Sequence, residues 1–353
     1  MLDEKKLNEF LGKFMDDVAA ALNGLLVDVG DKLGLYRAMA EAGEGGLTPE
    51  RLASKTGTNP RMIGEWLAAQ AANGYVTYDP GTGAFSLPEE HALVLAHENS
   101  PVFLQGAVQT TASLYLDEAK VIRAMRTGKG LGWGDHEPGF HEGQERLSRP
   151  LFSNLLVQSW IPALDGVEAK LRGGAKVAEV GSGRGAALIQ LAKNYPQSTF
   201  VGFDSDGPSV DHARRLAGQD GALENLRFEK ADASSYPADD YDLIGFISSL
   251  HDMRDPEGAL AHAHACLREK GGTLMVAEAP AGDALEQNFN PVGRLLYPVS
   301  ALECVPASLN EDGTGLGTLM GESRLRALVA SSGFKGFRRV DGTPLLNVYE
   351  ARA

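Results

Sequence analysis

Five residues in the second half of the chain are of types that do chemistry where strands end: Glu179, Asp204, Asp232, His251 and Glu278. Glu179 opens the run Glu179-Val180-Gly181-Ser182-Gly183-Arg184-Gly185. Such a strand-to-helix junction lets a ligand approach the backbone, with the helix N-terminus facing it. Gly181, Gly183 and Ala186 also satisfy the G-x-G-x-x-A dinucleotide pattern, so the glycines alone leave the ligand open. The acids narrow it. Ligands on parallel sheets bind at the carboxyl ends of the strands, so acids that close successive strands face one crevice. A pyrophosphate would be repelled by Glu179, whereas a sulfonium cation with an amino group would be welcomed. Asp204 with Ser205 suits ribose hydroxyls, and Asp232 with Ala233 suits an adenine edge.

His251 stands in Ser248-Ser249-Leu250-His251-Asp252-Met253. A neutral imidazole of pKa about 6.5 within hydrogen-bond reach can take the proton of a phenol of pKa about 10. A carboxylate on its far nitrogen would fix the tautomer. The alternative is a histidine that only caps the following Asp255-Pro256 turn.

These residues need an alternating frame. From Lys176 onward the pattern predicts strands at 176–180, 199–204, 226–231, 241–247, 273–279, 334–340 and 347–352, with helices near 186–194, 208–217, 256–268 and 322–332. This is a doubly wound α/β fold. The first part is helical. Leu7, Leu11, Phe14, Val18, Leu22, Leu25, Val29 and Leu33 form a helical stripe, interrupted or bent near Asn23-Gly24. The stripe reads either as packing within its own domain or, preferably, as a homodimer seam. Thr48-Pro49 opens a short helix, Pro60 to Ala72 a second, and two short strands flank Asp79-Pro80-Gly81-Thr82-Gly83. Together they predict a winged helix-turn-helix. The organisation expected is 1–100 winged-helix dimerisation domain, 101–170 helical connector and pocket lid, and 171–353 cofactor-binding domain.

Charge argues against a polyanion partner. The net charge is −14, and residues 1–100 carry 8 Lys and Arg against 15 Asp and Glu. Nucleic acid is therefore an unfavoured partner, and DNA regulation a secondary alternative. No apolar run approaches the roughly 18 residues of a membrane span, no secretory signal is seen, and Cys266 and Cys304 are too few for a disulfide framework. A cytoplasmic protein is expected. Asp135, His136 and His141 lack the spacing of a metal site, and His262, His264 and Cys266 share one helix without further partners. No metal is expected.

The motifs E-x-G-x-G-x-G at 179–185, Val201-Gly202-Phe203-Asp204, Lys230-Ala231-Asp232-Ala233 and Leu267-Arg268-Glu269-Lys270-Gly271-Gly272 through Glu278 resemble the class I S-adenosylmethionine-dependent methyltransferases over about residues 150–353. That resemblance implies a sheet of order 3-2-1-4-5-7-6 with an antiparallel last strand. It also implies S-adenosylmethionine as cofactor, leaving S-adenosylhomocysteine, at Glu179, Gly181, Ser182, Gly183, Asp204, Ser205, Asp232, Ala233 and Ser248. The whole chain is similar to the small-molecule O-methyltransferases of plants and bacterial biosynthetic pathways. In that pattern His251 is the general base, Glu278 flanks it, and Glu322 is a second flank. A small-molecule hydroxyl is the implied acceptor, with N- or C-methylation as the variant. Trp133, Phe140, Asn290, Arg294 and Tyr297 are expected to wall its pocket. Met253 replaces the usual Trp, and Ile247-Ser248 stand where the family places a lysine near the adenine.

Overall fold

The computed structural model describes residues 2–353 apart from 220, 222 and 268–270. Arg268, Glu269 and Lys270, with the expected helix end at Arg268, lie outside the described residues. Contacts divide the chain into two units: Met1–Leu116 with Glu137–Pro150, and Asp117–His136 with Leu151–Ala353.

In the first unit one helix, Glu4–Lys32, is capped by the Asp3 carboxylate, which accepts from the backbone N–H groups of Lys5 and Lys6. It runs through Asn23-Gly24 without the expected interruption. A glycine inside a helix costs about 1 kcal/mol relative to alanine, and tertiary packing outweighs that here. Trp66 Nε1 donates to the Leu26 carbonyl at 2.9 Å, and Gln70 Nε2 donates to Asn23 Oδ1 at 2.9 Å. The buried positions are Asn23, Val27, Asp28 and Gly30, whereas the leucine stripe faces outward, with Phe14 54%, Leu22 65% and Leu25 57% exposed. Helices Pro49–Thr56 and Pro60–Ala72 follow, capped by Thr48 and Asn59. The antiparallel strands β1 (Thr77–Asp79) and β2 (Ala84–Ser86) complete the winged helix.

The second unit holds seven strands: β3 (Lys176–Val180), β4 (Thr199–Asp204), β5 (Leu226–Lys230), β6 (Leu243–Ile247), β7 (Thr273–Glu278), β8 (Lys335–Gly342) and β9 (Asn347–Arg352). Their order is β5-β4-β3-β6-β7-β9-β8, which counted from β3 is the expected 3-2-1-4-5-7-6. β3 to β7 run parallel, and β9 lies antiparallel to β7 and β8. β6 starts at Leu243, because Tyr241 makes only an isolated bridge to Leu267. Both faces are covered. Ala186–Asn194 joins the core that includes Trp160 and Phe200, while Pro256–Cys266 and Glu322–Ser331 join the core that includes Phe203 and Phe246. The near-continuous apolar strands Leu243–Ile247 and Thr273–Ala277 are what burial on two faces requires. Among the described residues no helix is long and apolar enough to cross a membrane.

The fully buried Gln70 also accepts the Tyr36 hydroxyl at 2.7 Å, so one amide satisfies polar groups from two further helices. Gln70→Leu leaves Tyr36 and Asn23 without their partner. At about 1–3 kcal/mol for each unsatisfied buried group, the first unit should unfold several degrees earlier in a thermal melt. An unchanged melting curve would mean that water replaces both bonds.

Candidate active site

The parallel strands deliver their last residues to one edge, and there a crevice of about 430 Å³ opens. Its wall includes Gly181, Gly183, Asp204, Ser205, Asp232, Ala233 and Ser248, all expected from the sequence. Gly181 has φ +73°, and a Cβ on it would come within 2.5 Å of Ser249 Cβ. Gly183 has φ +52° and open space where a Cβ would stand, so the backbone itself is presented to a ligand. Asp204 holds this loop: Oδ2 accepts from the Gly183 N–H at 2.7 Å and Oδ1 from the Asp206 N–H at 2.8 Å. Burial pushes the Asp204 carboxyl up despite these bonds. Ser248 adopts the left-handed conformation at φ +51°, costly for a residue with a Cβ and tolerated where the chain must turn into a site.

Two of the expected cofactor residues lie behind this wall. Glu179 is 5% exposed, with Oε2 lacking a hydrogen-bond partner among the described residues. Burial, with the Asp204 charge added, pushes its carboxyl up to about 8. Ser182 turns its hydroxyl inward toward Gly202, where a Cβ would approach it to 2.7 Å. Asp232 is held low by the Ser234 hydroxyl and N–H, and its Oδ2 lies 3.4 Å from Arg254 Nη2. The sequence reading missed Arg254, Asp206 and Glu311 in the same wall. Arg254 directly follows the His251 motif, which was a usable signal; Glu311 reaches the wall only through the path of a loop.

His251 sits in the turn Leu250–Asp252 that follows β6, and its Nδ1 lies 2.5 Å from Glu278 Oε2 at the end of β7. Both side chains are buried. Nε2 is 3.3 Å from Asp252 Oδ1, and Asp252 lines the crevice. Burial works against a positive ring, but the Asp252 and Glu278 carboxylates outweigh it and hold His251 well above the ordinary histidine range. Burial pushes Asp252 up to about 6, with His251 opposing. Cys304 contributes a hydrogen bond to the same ring.

Glu322, expected as a second flank, starts the helix Glu322–Ser331. That carboxylate pairs with Arg326 at 2.7 Å on its own helix, and the second acid beside His251 is its chain neighbour Asp252. The expected pocket wall is likewise divided. Trp133 lines the crevice. Tyr297 lines a separate apolar cavity of about 410 Å³, with Met125, Ser300, Val305, Leu309 and Leu316 among its other walls. Asn290 is exposed and caps the helix Pro291–Val299 by accepting from the Gly293 N–H. Arg294 is exposed and lines neither space. Phe140 is fully buried in the first unit, edge-on to His141.

The residues at the crevice fit S-adenosylmethionine. A buried carboxylate without a partner requires a cation or a donor, the open Gly183 backbone admits one closely, and Asp204 and Asp232 offer acceptors further along.

Glu179 makes the ligand-free fold pH-sensitive. Its carboxyl ionises near 4.5 ordinarily and near 8 when folded, so stability is full below the lower value and declines as pH rises through the window. Glu179→Gln, uncharged at every pH, should melt several degrees above wild type at pH about 8.5, since ~1 kcal/mol moves the midpoint by about 2–4 °C in a domain of this size. The gap should close near pH about 4.5, below which both states carry the proton. A variant no more stable at the alkaline end would contradict the burial argument.

Residues 178–274 match the family described as "Methyltransferase domain", and residues 20–97 the one described as "Rv2258c-like winged HTH domain". A tRNA (guanine-N(7)-)-methyltransferase of Aliivibrio fischeri is 27% identical over 125 residues, 35% of this chain and 50% of that protein. The chain thus spans about half the length of the curated relatives it matches. Among solved structures, the mitomycin 7-O-methyltransferase MmcR superposes with a TM-score of 0.69 at 18% identity, covering 99% of this chain and 100% of that one. Human N-acetylserotonin methyltransferase in complex with SAM gives 0.69 at 17% identity, covering 99% and 97%. At those identities the likeness is one of fold. The chain carries a methyltransferase domain of the class I, S-adenosylmethionine-dependent fold, preceded in sequence by a winged helix-turn-helix domain.

Proposed function

We propose that the chain transfers a methyl group from S-adenosylmethionine to a hydroxyl of a small-molecule acceptor, with His251 as general base. The observation that carries this reading is the buried His251–Glu278 pair beside the crevice. When bound, the cofactor supplies an electrophilic methyl on a sulfonium. Gly181 and Gly183 let the backbone meet it, Glu179 complements its positive charge, and Asp204 and Asp232 orient its polar edge. Glu278 takes the Nδ1 side of His251, and Nε2, which faces Asp252, receives the acceptor's proton once the ring has given up its own to solvent. The carboxylates on either side make the ring a stronger base than free imidazole. Glu278 is a positioning residue.

The apolar cavity supports a small and largely apolar acceptor, with Tyr297 and Ser300 offering its hydroxyls. Transfer to nucleic acid is disfavoured by the net charge of −14, and Arg61, the only cation of the helix Pro60–Ala72, is paired with Glu65 at 2.5 Å. The free cysteines Cys266 and Cys304 suit a reducing, cytoplasmic setting.

Calorimetric titration should show binding of S-adenosylmethionine or S-adenosylhomocysteine and none of NAD; binding of NAD alone would end this reading. His251→Ala should keep cofactor affinity while slowing transfer to a weakly acidic hydroxyl by about 10²–10⁴-fold, the usual share of a general base. An acceptor already ionised at the assay pH should lose much less. Near-normal rates on a weakly acidic hydroxyl would leave His251 a purely structural residue.

The reading includes a homodimer through the outward leucine stripe of Glu4–Lys32. Such a face is unfavourable by about 25 cal/mol for each Å² of apolar surface left in water. Light scattering should give a dimer for wild type and a monomer for Leu11→Glu combined with Leu22→Glu, both positions being exposed in the single chain. A wild-type monomer at micromolar concentration would remove the dimer from the proposal.

A further inference from the structure

Among the described residues, neither group considered as metal ligands in the sequence brings three ligand atoms together. His136 Nδ1 is engaged by Asp117 at 2.8 Å, and the His141 ring packs edge-on to Phe140. His262 Nε2 lies 2.8 Å from the Tyr236 carbonyl, while the His264 ring packs edge-on to Phe334. Elsewhere, three side chains from two distant segments do come together. The ligand atoms of His251, Asp252 and Cys304 all lie within 4.8 Å of one another.

We propose that His251 Nε2, Asp252 Oδ1 and Cys304 Sγ form a binding site for a borderline-soft divalent cation of the Zn²⁺ type. The donor set selects the class: imidazole nitrogen, thiolate sulfur and one carboxylate suit Zn²⁺ or Co²⁺, while Mg²⁺ and Ca²⁺ require oxygen shells. The spacing suits it as well. Metal–nitrogen and metal–oxygen bonds of about 2.0–2.2 Å in a tetrahedron place those two atoms roughly 3.3–3.5 Å apart, and Nε2 and Oδ1 are 3.3 Å apart. Among the described residues Asp252 Oδ1, itself shielded from solvent, has no hydrogen-bond partner, and it faces the ring nitrogen at 3.3 Å. Glu278 on Nδ1 is the outer carboxylate that ligating histidines commonly have, fixing the ring and strengthening the nitrogen opposite. Asp252 borders the crevice, which gives an entry path and a fourth position open to water. On binding, the Cys304 thiol and the His251 Nε2–H each release a proton to solvent as the metal–sulfur and metal–nitrogen bonds form.

The bound cation takes the lone pair that the general base needs, so it silences methyl transfer; this consequence, unlike the site itself, rests on the proposed function.

The test uses the full chain, treated with chelator and titrated with Co²⁺. A sulfur-to-cobalt charge-transfer band and the visible bands of tetrahedral Co²⁺ should develop with one equivalent and disappear on adding Zn²⁺. Cys304→Ser should lose the charge-transfer band and bind Zn²⁺ at least tenfold more weakly, while Cys266→Ser keeps both. Absence of the band in wild type, or its loss in Cys266→Ser instead, overturns the site. Zn²⁺ should also inhibit methyl transfer reversibly in wild type. A cobalt band in a protein without transferase activity keeps the site and rejects the base assignment; activity without the band does the reverse.

Discussion

Neighbouring parallel strands end side by side, and the ends of β6 and β7 bring an imidazole and a carboxylate to one buried point. The His251–Glu278 contact depends on the pairing of those strands, Ile247 opposite Ala277, and on the turn Leu250–Asp252 that swings the ring back over the sheet edge. A charge pair removed from water needs its remaining lone pairs and protons satisfied. Asp252 and Cys304 stand beside the ring, yet Glu278 Oε1 and Asp252 Oδ1 lack a hydrogen-bond partner among the described residues, and the left-handed Ser248 accompanies the turn. An error of one residue in the register of β7 would send Glu278 to the other face of the sheet.

The same edge explains the crevice. Burial and the neighbouring Asp204 charge both disfavour ionised Glu179, whereas Asp232 has Arg254 at 3.4 Å. The loop after β3 relies on backbone donors: Asp204 accepts two N–H groups, and the Phe203 carbonyl accepts those of Gly181 and Ser182. A crevice built this way is least comfortable empty at alkaline pH, and a cationic ligand relieves it.

In the N-terminal unit the priorities are reversed. The long helix buries a polar strip, Asn23 and Asp28 included, and leaves its leucines outside. A soluble helix usually buries its apolar face. Gln70 bonds Asn23, Lys32 bonds Asp28, and Trp66 bonds the Leu26 carbonyl, so the winged helix is assembled against the side of the helix that the stripe leaves free.

Strand positions, the crevice acids and the His251 motif were legible in the sequence because each rests on local periodicity: alternation, a glycine-rich junction, an acid at a strand end. β3, β4 and the helix Ala186–Asn194 lie where the pattern placed them. Three-dimensional packing decided the rest. Cys304 meets His251 across a long stretch of chain whose course no local spacing encodes. Phe140 follows a glycine-rich loop expected to cover the pocket, but the chain crosses into the other unit before reaching it. The Asn23-Gly24 pair reads as an interruption or bend, and the helix runs through it unbroken, with a hydrogen bond from Gln70 far along the sequence. Local propensities differ by about 1 kcal/mol or less per residue, so burial and long-range hydrogen bonds override them wherever the two conflict.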